Sequence, residues 1–272
     1  MAIRADYHMH SNHSGDSDEP MESMILKGIE LGFENICFTE HHDIDFPYDE
    51  VTPEGTFELN TDSYLYELLG LRNKYADKIN VLFGVELGIQ SHLKRELALY
   101  AKAYDFDYII ASKHILEGKD PYYIENFEGR SDEEIYRKYF TDMLNDLKAF
   151  NNFDVLGHLD YIVRYGKSKD AEYSYSKYQD VIDPILDKLI DMEKGLEINT
   201  GGLRDGLKEP NPCVDVLKRY HELGGEIITI GSDAHEAKNI GYEFERAKDI
   251  LLECGFKYYS TFEKRVAEYH RI

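Results

Sequence analysis

Short apolar runs alternate with longer amphipathic segments along the whole chain, and this rhythm limits the possible folds more than any other feature. Each short run has the length of a strand, and each amphipathic segment has the length of a helix. Repeated βα units build parallel sheets, and a chain of 272 residues can form a parallel barrel, which typically needs about 250 residues. The sequence therefore predicts an α/β fold with a parallel sheet.

The alternation predicts seven strands, at residues 3–7, 36–39, 79–85, 108–111, 153–156, 196–198 and 227–230. It also predicts helices at residues 20–31, 62–75, 93–103, 131–150, 181–193, 212–223 and 244–252. Pro184 is placed in the first turn of its helix, where the missing N–H has no cost. Residues 258–261 are expected to form an edge strand or a tail that packs across the barrel. The acidic loop 46–60 is a candidate lid.

Composition excludes several classes of protein. The formal net charge is -22, from 31 basic and 53 acidic side chains, and this charge opposes non-specific binding to nucleic acid. No apolar run approaches the ~20 residues of a membrane helix, and the N-terminus lacks the pattern of a secretion signal. The cysteines Cys37, Cys213 and Cys254 are widely spaced and form no CxxC motif. We therefore expect a cytoplasmic protein without nucleic-acid or membrane partners, whose oligomeric state the composition leaves open.

The segment Asp6–Asp16, with the sequence DYHMHSNHSGD, places two histidines just after the first predicted strand. Side chains alternate along an extended chain, so His8 and His10 point to the same face. A loop containing glycine then brings in the carboxylate of Asp16. Imidazole nitrogens with a nearby carboxylate are typical ligands of a borderline divalent cation such as zinc. This segment therefore predicts half of a metal site.

Histidines and acidic residues also follow the other predicted strands. In a closed parallel barrel the carboxyl ends of all strands lie on one face, so these side chains can converge. With the first segment they give nine candidate ligands: His8, His10, Asp16, His41, Glu86, His114, His158, Asp233 and His235. A tetrahedral ion takes about four ligands, so this set suits two or three divalent ions that share bridging carboxylates.

A site of this kind would attract phosphate even in an acidic protein. Three divalent ions carry about six positive charges, which exceed the charge of the three carboxylates. Two arginines, Arg164 and Arg204, follow predicted strand ends, and planar guanidinium groups bind phosphate in a bidentate manner. Gly201 and Gly202 would let backbone N–H groups approach a ligand closely. The sequence therefore predicts a phosphate ester as the substrate.

The ordered motifs together resemble the PHP family, which is named for polymerases and histidinol phosphatases, and within it the histidinol-phosphate phosphatases. The motifs are HMH, Asp16, TEH at 39–41, Glu86, SKH at 112–114, GH at 157–158 and SDAH at 232–235. The resemblance covers nearly the whole chain. It implies a distorted (β/α)7 barrel of TIM-barrel type and one metallophosphatase domain over residues 1–272. It also implies a trinuclear site of zinc, iron or manganese at the C-terminal ends of the strands, held by the nine residues above.

The resemblance further implies hydrolysis of L-histidinol phosphate to L-histidinol and phosphate in histidine biosynthesis, by attack of a metal-bridged hydroxide on phosphorus. Asp233 would bridge or orient the hydroxide, and Arg164 and Arg204 would stabilise charge on the phosphoryl oxygens. Weaker local matches add His42 and Lys113 to these arginines as substrate-binding residues. Candidates to hold the amine and imidazole of the substrate are Glu40, Asp43, Asp45, Glu117, Asp160, Tyr122, Tyr123 and Tyr161.

Three alternatives remain open at this point. A PHP-type phosphoesterase acting on nucleotides or other phosphomonoesters would use the same metal site. A metal-dependent amidohydrolase also opens with HxH after its first strand, but it would not need Glu86, His114 and the paired Asp233 and His235. A non-catalytic module, regulatory or associated with nucleic acid, is disfavoured by the complete ligand set and the charge of -22.

Overall fold

Seven parallel strands follow one another in chain order around a barrel in the computed structural model, which describes residues 3–272. Every pairing between neighbouring strands is parallel. The strands are β1 (Ala5–Asp6), β2 (Asn35–His42), β3 (Asn80–Gly88), β4 (Tyr108–Ser112), β5 (Val155–Leu156), β6 (Gly195–Asn199) and β7 (Ile228–Gly231). All seven predicted strands are therefore confirmed, with shifted ends.

The barrel is nearly closed, because the chain just after β1 returns to the chain around β7. The N–H of Tyr7 donates to the carbonyl of Ile230 at 3.0 Å, and the N–H of Asp233 donates to the carbonyl of His8 at 2.8 Å. The residues of β4 and β6 are all buried, as expected for strands covered on both faces. This closure brings the first and last predicted motifs side by side.

Helices connect the successive strands. They are α1 (Met21–Leu31), α2 (Thr61–Tyr75), α3 (Lys94–Ala103), α4 (Asp132–Ala149), α5 (Tyr175–Asp191), α6 (Gly201–Arg204), α7 (Val214–Glu222) and α8 (Phe244–Cys254). The predicted start of α4 is confirmed by a capping box, in which Ser131 and Glu134 each accept the other's backbone N–H. No helix within residues 3–272 is long and apolar enough to cross a membrane.

The prediction for α5 was wrong, because the helix begins at Tyr175 and Pro184 lies in its interior. Proline there removes the N–H that would bond to the carbonyl of Asp180. The helix keeps its course because it buries a continuous apolar face that includes Ile182, Ile185 and Leu189. Tertiary packing outweighs the local cost of the proline.

The C-terminal segment forms a β-hairpin of two antiparallel strands, β8 (Tyr258–Glu263) and β9 (Val266–Arg271). The hydroxyl of Tyr7 donates to the carbonyl of Phe262 at 2.9 Å, and the backbone N–H of Arg265 donates to the carbonyl of Asp107 at 2.9 Å. The side chain of Arg265 also donates to the carboxylate of Asp154. Because Asp107 precedes β4 and Asp154 precedes β5, the hairpin lies across the N-terminal end of the barrel. Residues 258–261, which were predicted as an edge strand or a tail across the barrel, form part of β8. The second strand, β9, was not indicated by the sequence.

Candidate metal centre

The carboxylate of Glu86, on β3, lies at the centre of a ring of histidines from other strands. Its Oε2 is 3.2 Å from Nε2 of His8 and 2.9 Å from Nδ1 of His41. Its Oε1 is 2.9 Å from Nε2 of His158 and 3.2 Å from Nε2 of His114. Glu86 and His8 are fully buried. The residues at these strand ends therefore converge on one site, as the sequence predicted.

Two further carboxylates complete the cluster on the side of β7. Oδ1 of Asp233 lies 3.5 Å from Nε2 of His10 and 3.8 Å from Nδ1 of His235. Oδ2 of Asp16 lies 3.2 Å from Nε2 of His235 and 3.5 Å from Nε2 of His41. All nine predicted ligand residues thus lie at the C-terminal ends of the strands.

The donor atoms are arranged as metal ions require. Four groups of three residues each present ligand atoms within 4.8 Å of one another: His10–His41–His235, His8–His10–Asp233, His8–Glu86–His158 and His41–Glu86–His114. Several of these buried atoms have no hydrogen-bond partner, namely His8 Nε2, His10 Nε2, His41 Nδ1, Glu86 Oε2 and His235 Nε2. Unpaired buried nitrogen and oxygen atoms are unfavourable unless a cation binds them, so these residues fit a metal centre with more than one ion.

The electrostatics of the cluster keep its central carboxylates ionised. Burial alone would raise the pKa of Glu86, but His8, His114 and His41 hold it well below its usual range. The pKa of Asp233 is likewise held low against burial, by His8, His10 and Arg164. For His114, burial lowers the pKa, but Asp43 and Glu86 outweigh it and raise the pKa to about 10. A metal ion entering this site would therefore displace protons from imidazoles.

A second layer of side chains orients the candidate ligands. Nδ1 of His8 lies 2.6 Å from Oε1 of Glu197, and Nδ1 of His114 lies 2.8 Å from Oδ1 of Asp43. Nδ1 of His10 is 3.1 Å from the hydroxyl of Ser14. Partners at Nδ1 fix the tautomer that leaves Nε2 free to bind a metal ion.

Glu197 has two further contacts and was not predicted as a functional residue. Its Oε2 accepts the backbone N–H of His158 at 3.1 Å and the side-chain amide of Asn199 at 3.1 Å. His158 has a φ of 29°, a left-handed conformation that this hydrogen bond helps to hold. The signal in the sequence was an acidic residue inside the apolar strand β6, where an unpaired carboxylate would be costly.

The predicted arginines line a cleft of about 240 Å³ that opens from the cluster, together with Tyr161, Tyr165 and Asp205. Arg164 is buried, and it donates to Asn211 Oδ1 at 2.8 Å, to Asp233 Oδ2 at 3.1 Å and to Asn199 Oδ1 at 3.0 Å. Arg204 donates to the backbone carbonyls of Ser232 and Asp233. These bonds fix both guanidinium groups beside the candidate metal ligands.

The structure places the side chains of His42 and Lys113, which are predicted to bind substrate, away from the cleft. The ring of His42 stacks on Tyr100 at 3.9 Å, and its Nδ1 accepts the backbone N–H of Leu59. The buried ammonium of Lys113 is 2.7 Å from Oδ2 of Asp146. Neither side chain lines the cleft. His42 follows the candidate ligand His41 and Lys113 precedes the candidate ligand His114, and successive side chains along an extended chain point in opposite directions.

The predicted acidic acceptors for the substrate's amine are already paired within the protein. The hydrogen-bonded pairs are Glu40 with Ser11 and Ser14, Asp43 with His114, Asp45 with His92, Glu117 with Arg130, and Asp160 with Asn211.

Among the predicted tyrosines, Tyr161 lines the cleft and stacks on His158, with 4.9 Å between the ring centroids. The ring of Tyr122 lies 5.7 Å, between centroids, from the ring of Tyr165, which lines the cleft. The ring of Tyr123 packs edge-on against Tyr122. Asp205 lines the cleft and was missed.

Loop 46–60 lies beside the cluster. The ring of Phe57 packs edge-on against His41 at 5.7 Å, and the loop backbone at Thr56 lies so close to Gly15 that a Cβ there would be 2.2 Å from the Thr56 oxygen. Gly15 is therefore required for the close approach of these two loops. The role of loop 46–60 as a lid stays a prediction.

A family model described as "PHP domain" matches residues 6–201, which is most of the chain. The chain belongs to the PHP family. Among its relatives, the histidinol-phosphatase of Lactococcus lactis is 35% identical over 265 residues, covering 95% of this chain and 94% of the relative. The probable histidinol-phosphatase of Clostridium acetobutylicum is 36% identical over 264 residues, covering 97% and 98%.

A solved structure of a PHP-family relative is also similar over the full barrel. The crystal structure of histidinol phosphate phosphatase from Lactococcus lactis, complexed with zinc, L-histidinol and phosphate, has a TM-score of 0.89 at 33% identity. The match covers 97% of this chain and 98% of that chain. The predicted family and the predicted barrel fold are confirmed.

Proposed function

We propose that this protein is a histidinol-phosphate phosphatase, which hydrolyses L-histidinol phosphate to L-histidinol and phosphate in histidine biosynthesis. The observation that carries the proposal is the complete set of nine candidate ligands beside two fixed arginines, in a chain whose relatives have this activity by name. We also propose that the chain acts as one metallophosphatase domain, because its candidate ligands extend from His8 to His235.

The nine residues His8, His10, Asp16, His41, Glu86, His114, His158, Asp233 and His235 would hold two to three divalent ions of zinc, iron or manganese. When bound, such ions neutralise phosphate charge and lower the pKa of water to about 7, which makes a nucleophile available at neutral pH. Glu197, Asp43 and Ser14 hold the imidazole rings of three of these ligands in a fixed orientation.

Arg164 and Arg204 would bind the phosphoryl oxygens. A guanidinium group has five N–H donors, and Arg164 uses three of them on Asn211, Asp233 and Asn199. Its Nη1 also lies 3.4 Å from Oδ2 of Asp205. A donor on Nη2 therefore remains available to a ligand in the cleft. Because both guanidinium groups are fixed before substrate arrives, they can stabilise the transition state without reorganisation.

The leaving group would lie along the wall of the cleft formed by Tyr161, Tyr165 and Asp205. L-Histidinol carries an ammonium group and a flat imidazole ring at neutral pH. The carboxylate of Asp205 lies 3.4 Å from Nη1 of Arg164 but is half-exposed, so it can also accept an ammonium group from the cleft. The two phenol rings offer stacking surfaces for the imidazole. The nucleoside that leaves from a mononucleotide carries no ammonium group, so it would gain no ionic contact with Asp205.

The decisive experiment compares kcat/KM for L-histidinol phosphate, a mononucleotide and p-nitrophenyl phosphate with the metal-loaded enzyme. We expect L-histidinol phosphate to be preferred by at least about a hundredfold, equivalent to ~2.7 kcal/mol of transition-state binding. Equal values for the three substrates would leave only a general phosphomonoesterase of the PHP family and would contradict the proposal.

A further inference from the structure

The outer strand of the C-terminal hairpin, β9, is a free sheet edge on the opposite end of the barrel from the metal centre. The register pairs Tyr258 with Arg271, and the N–H of Ile272 donates to the carbonyl of Lys257 at 3.0 Å. In this pattern the even-numbered residues of β9 bond to β8, so the N–H and C=O groups of Ala267, Tyr269 and Arg271 point outward. No strand of the part of the chain described by the structure pairs with that edge.

We propose that β9 pairs antiparallel with β9 of a second copy of the chain, so that the protein forms a twofold symmetric dimer with a continuous four-stranded sheet. An edge of six residues without proline or a bulge is a ready template for a further strand. The side chains of Val266 and Tyr269 on this strand are 64% and 50% exposed. In a twofold symmetric pair each copy uses its only free β9 edge, so no further copy can be added through this edge.

The sequence of β9 is complementary to itself in one register. If Tyr269 lies on the twofold axis, Ala267 lies opposite Arg271 of the second copy. Both residues have N–H and C=O groups that point away from β8, so the two edges can form hydrogen bonds with each other. The same register sets Glu268 opposite His270 of the second copy and Val266 opposite Ile272. Each acid–imidazole pair and each apolar pair occurs twice by symmetry, and such cross-strand pairs stabilise a sheet.

The local charge also distinguishes this surface from the rest of the molecule. Residues 256–272 carry four basic side chains, at Lys257, Lys264, Arg265 and Arg271, against the acids Glu263 and Glu268. Because the whole chain has a formal charge of -22, two copies repel each other across most of their surfaces. Arg265 is paired with Asp154, so the other charges of the hairpin nearly balance, and two hairpins repel each other less than two acidic faces do. The hairpin is therefore the surface on which a second copy fits best.

The backbone part of the proposal is tested by sedimentation velocity of the metal-loaded protein over about 1 to 200 µM. Ala267→Pro removes an outward N–H while keeping the bonds to β8, and Ala267→Ser is the matched control that retains the N–H. We expect a monomer–dimer equilibrium for the wild type and the control, and dimerisation at least about tenfold weaker for the proline variant. A wild type that remains monomeric throughout this range would overturn the proposal.

A second pair of variants decides the result even if proline disturbs the hairpin. Glu268→Lys removes the acceptor facing His270 and puts a cation in its place, so dimerisation should weaken by about tenfold or more. Adding His270→Glu to it sets opposite charges against each other in the same register and should recover most of the affinity. A dimer that tolerates Glu268→Lys would use another surface, and the proposal would be wrong.

Discussion

Oε1 of Glu197 lies 2.6 Å from Nδ1 of His8, and both side chains are fully buried beneath the candidate metal centre. Burial alone would lower the pKa of His8, but the carboxylates of Glu197, Glu86 and Asp233 raise it well above its usual value. The same Glu197 side chain accepts the backbone N–H of His158. One carboxylate therefore positions two candidate ligands that belong to different strands.

Replacing Glu197 by glutamine should weaken metal binding without changing the fold. The variant keeps the shape of the side chain but loses the charge that makes His8 a stronger ligand, so we expect metal affinity to fall about 10- to 100-fold. Metal content after dialysis against graded chelator concentrations measures this change. Glu253→Gln, at an exposed site on α8, is the matched control. Equal metal retention in both variants would show that Glu197 has no role in the centre.

Elemental analysis should find more than one equivalent of divalent metal in protein purified without chelator. His158→Asn or Glu86→Gln should lower both the metal content and kcat by large factors, because each change removes an atom from a group of candidate ligands. His92→Asn, an exposed histidine paired with Asp45, should change neither quantity. Full metal content and full activity in the Glu86 variant would exclude the proposed centre.

Arg164→Lys should impair phosphate recognition even though the positive charge is kept. Lysine cannot reproduce the three directed bonds to Asn211, Asp233 and Asn199, so the cation would lose its fixed position. We expect kcat/KM to fall about 10²- to 10³-fold, with weaker inhibition by inorganic phosphate. Arg219→Lys, at a partly exposed ion pair with Asp183, serves as the control. Unchanged inhibition by phosphate would remove Arg164 from the substrate site.

Lys113→Met should affect stability and leave the KM for substrate unchanged. The ammonium group of Lys113 pairs with Asp146, and removing one partner of a buried pair costs about 3–5 kcal/mol. Urea unfolding of the variant measures this loss, and the double variant with Asp146→Leu should regain part of it. A specific rise in KM without loss of stability would instead support the predicted role of Lys113 in substrate binding.

Water should attack phosphorus directly, without a covalent phosphoenzyme. One in-line displacement by water inverts the configuration at phosphorus, whereas two displacements through a phosphoenzyme retain it. Hydrolysis of a phosphorothioate analogue whose phosphorus is chiral by oxygen isotopes should therefore give inverted thiophosphate, as measured by phosphorus NMR. Retention of configuration would indicate covalent catalysis.

The candidate ligands could be predicted from the sequence because each one follows a short apolar run, and parallel strands end on one face. This local rule needs only the order of the elements, so it was correct for residues as distant in sequence as His8 and His235. The same rule does not place His42 and Lys113 in the cleft, although they stand next to the candidate ligands His41 and His114. A one-residue step along a strand turns the side chain to the opposite face, where Tyr100 and Asp146 are its neighbours.

The sequence by itself therefore determined the βα order, the barrel and the chemical identity of the candidate metal ligands, since these depend on periodicity and residue type. Only the tertiary structure decided which groups support them. Glu197 is 189 residues away from His8, and nothing in the local pattern of either segment specifies their contact. Tertiary packing also decided where α5 begins. Local propensity predicted that the helix starts near Pro184, but its buried apolar face stabilises helix from Tyr175 onward, with Pro184 in the interior. Which polar side chains meet in the interior depends on how the strands close into a barrel, and local periodicity does not specify that closure.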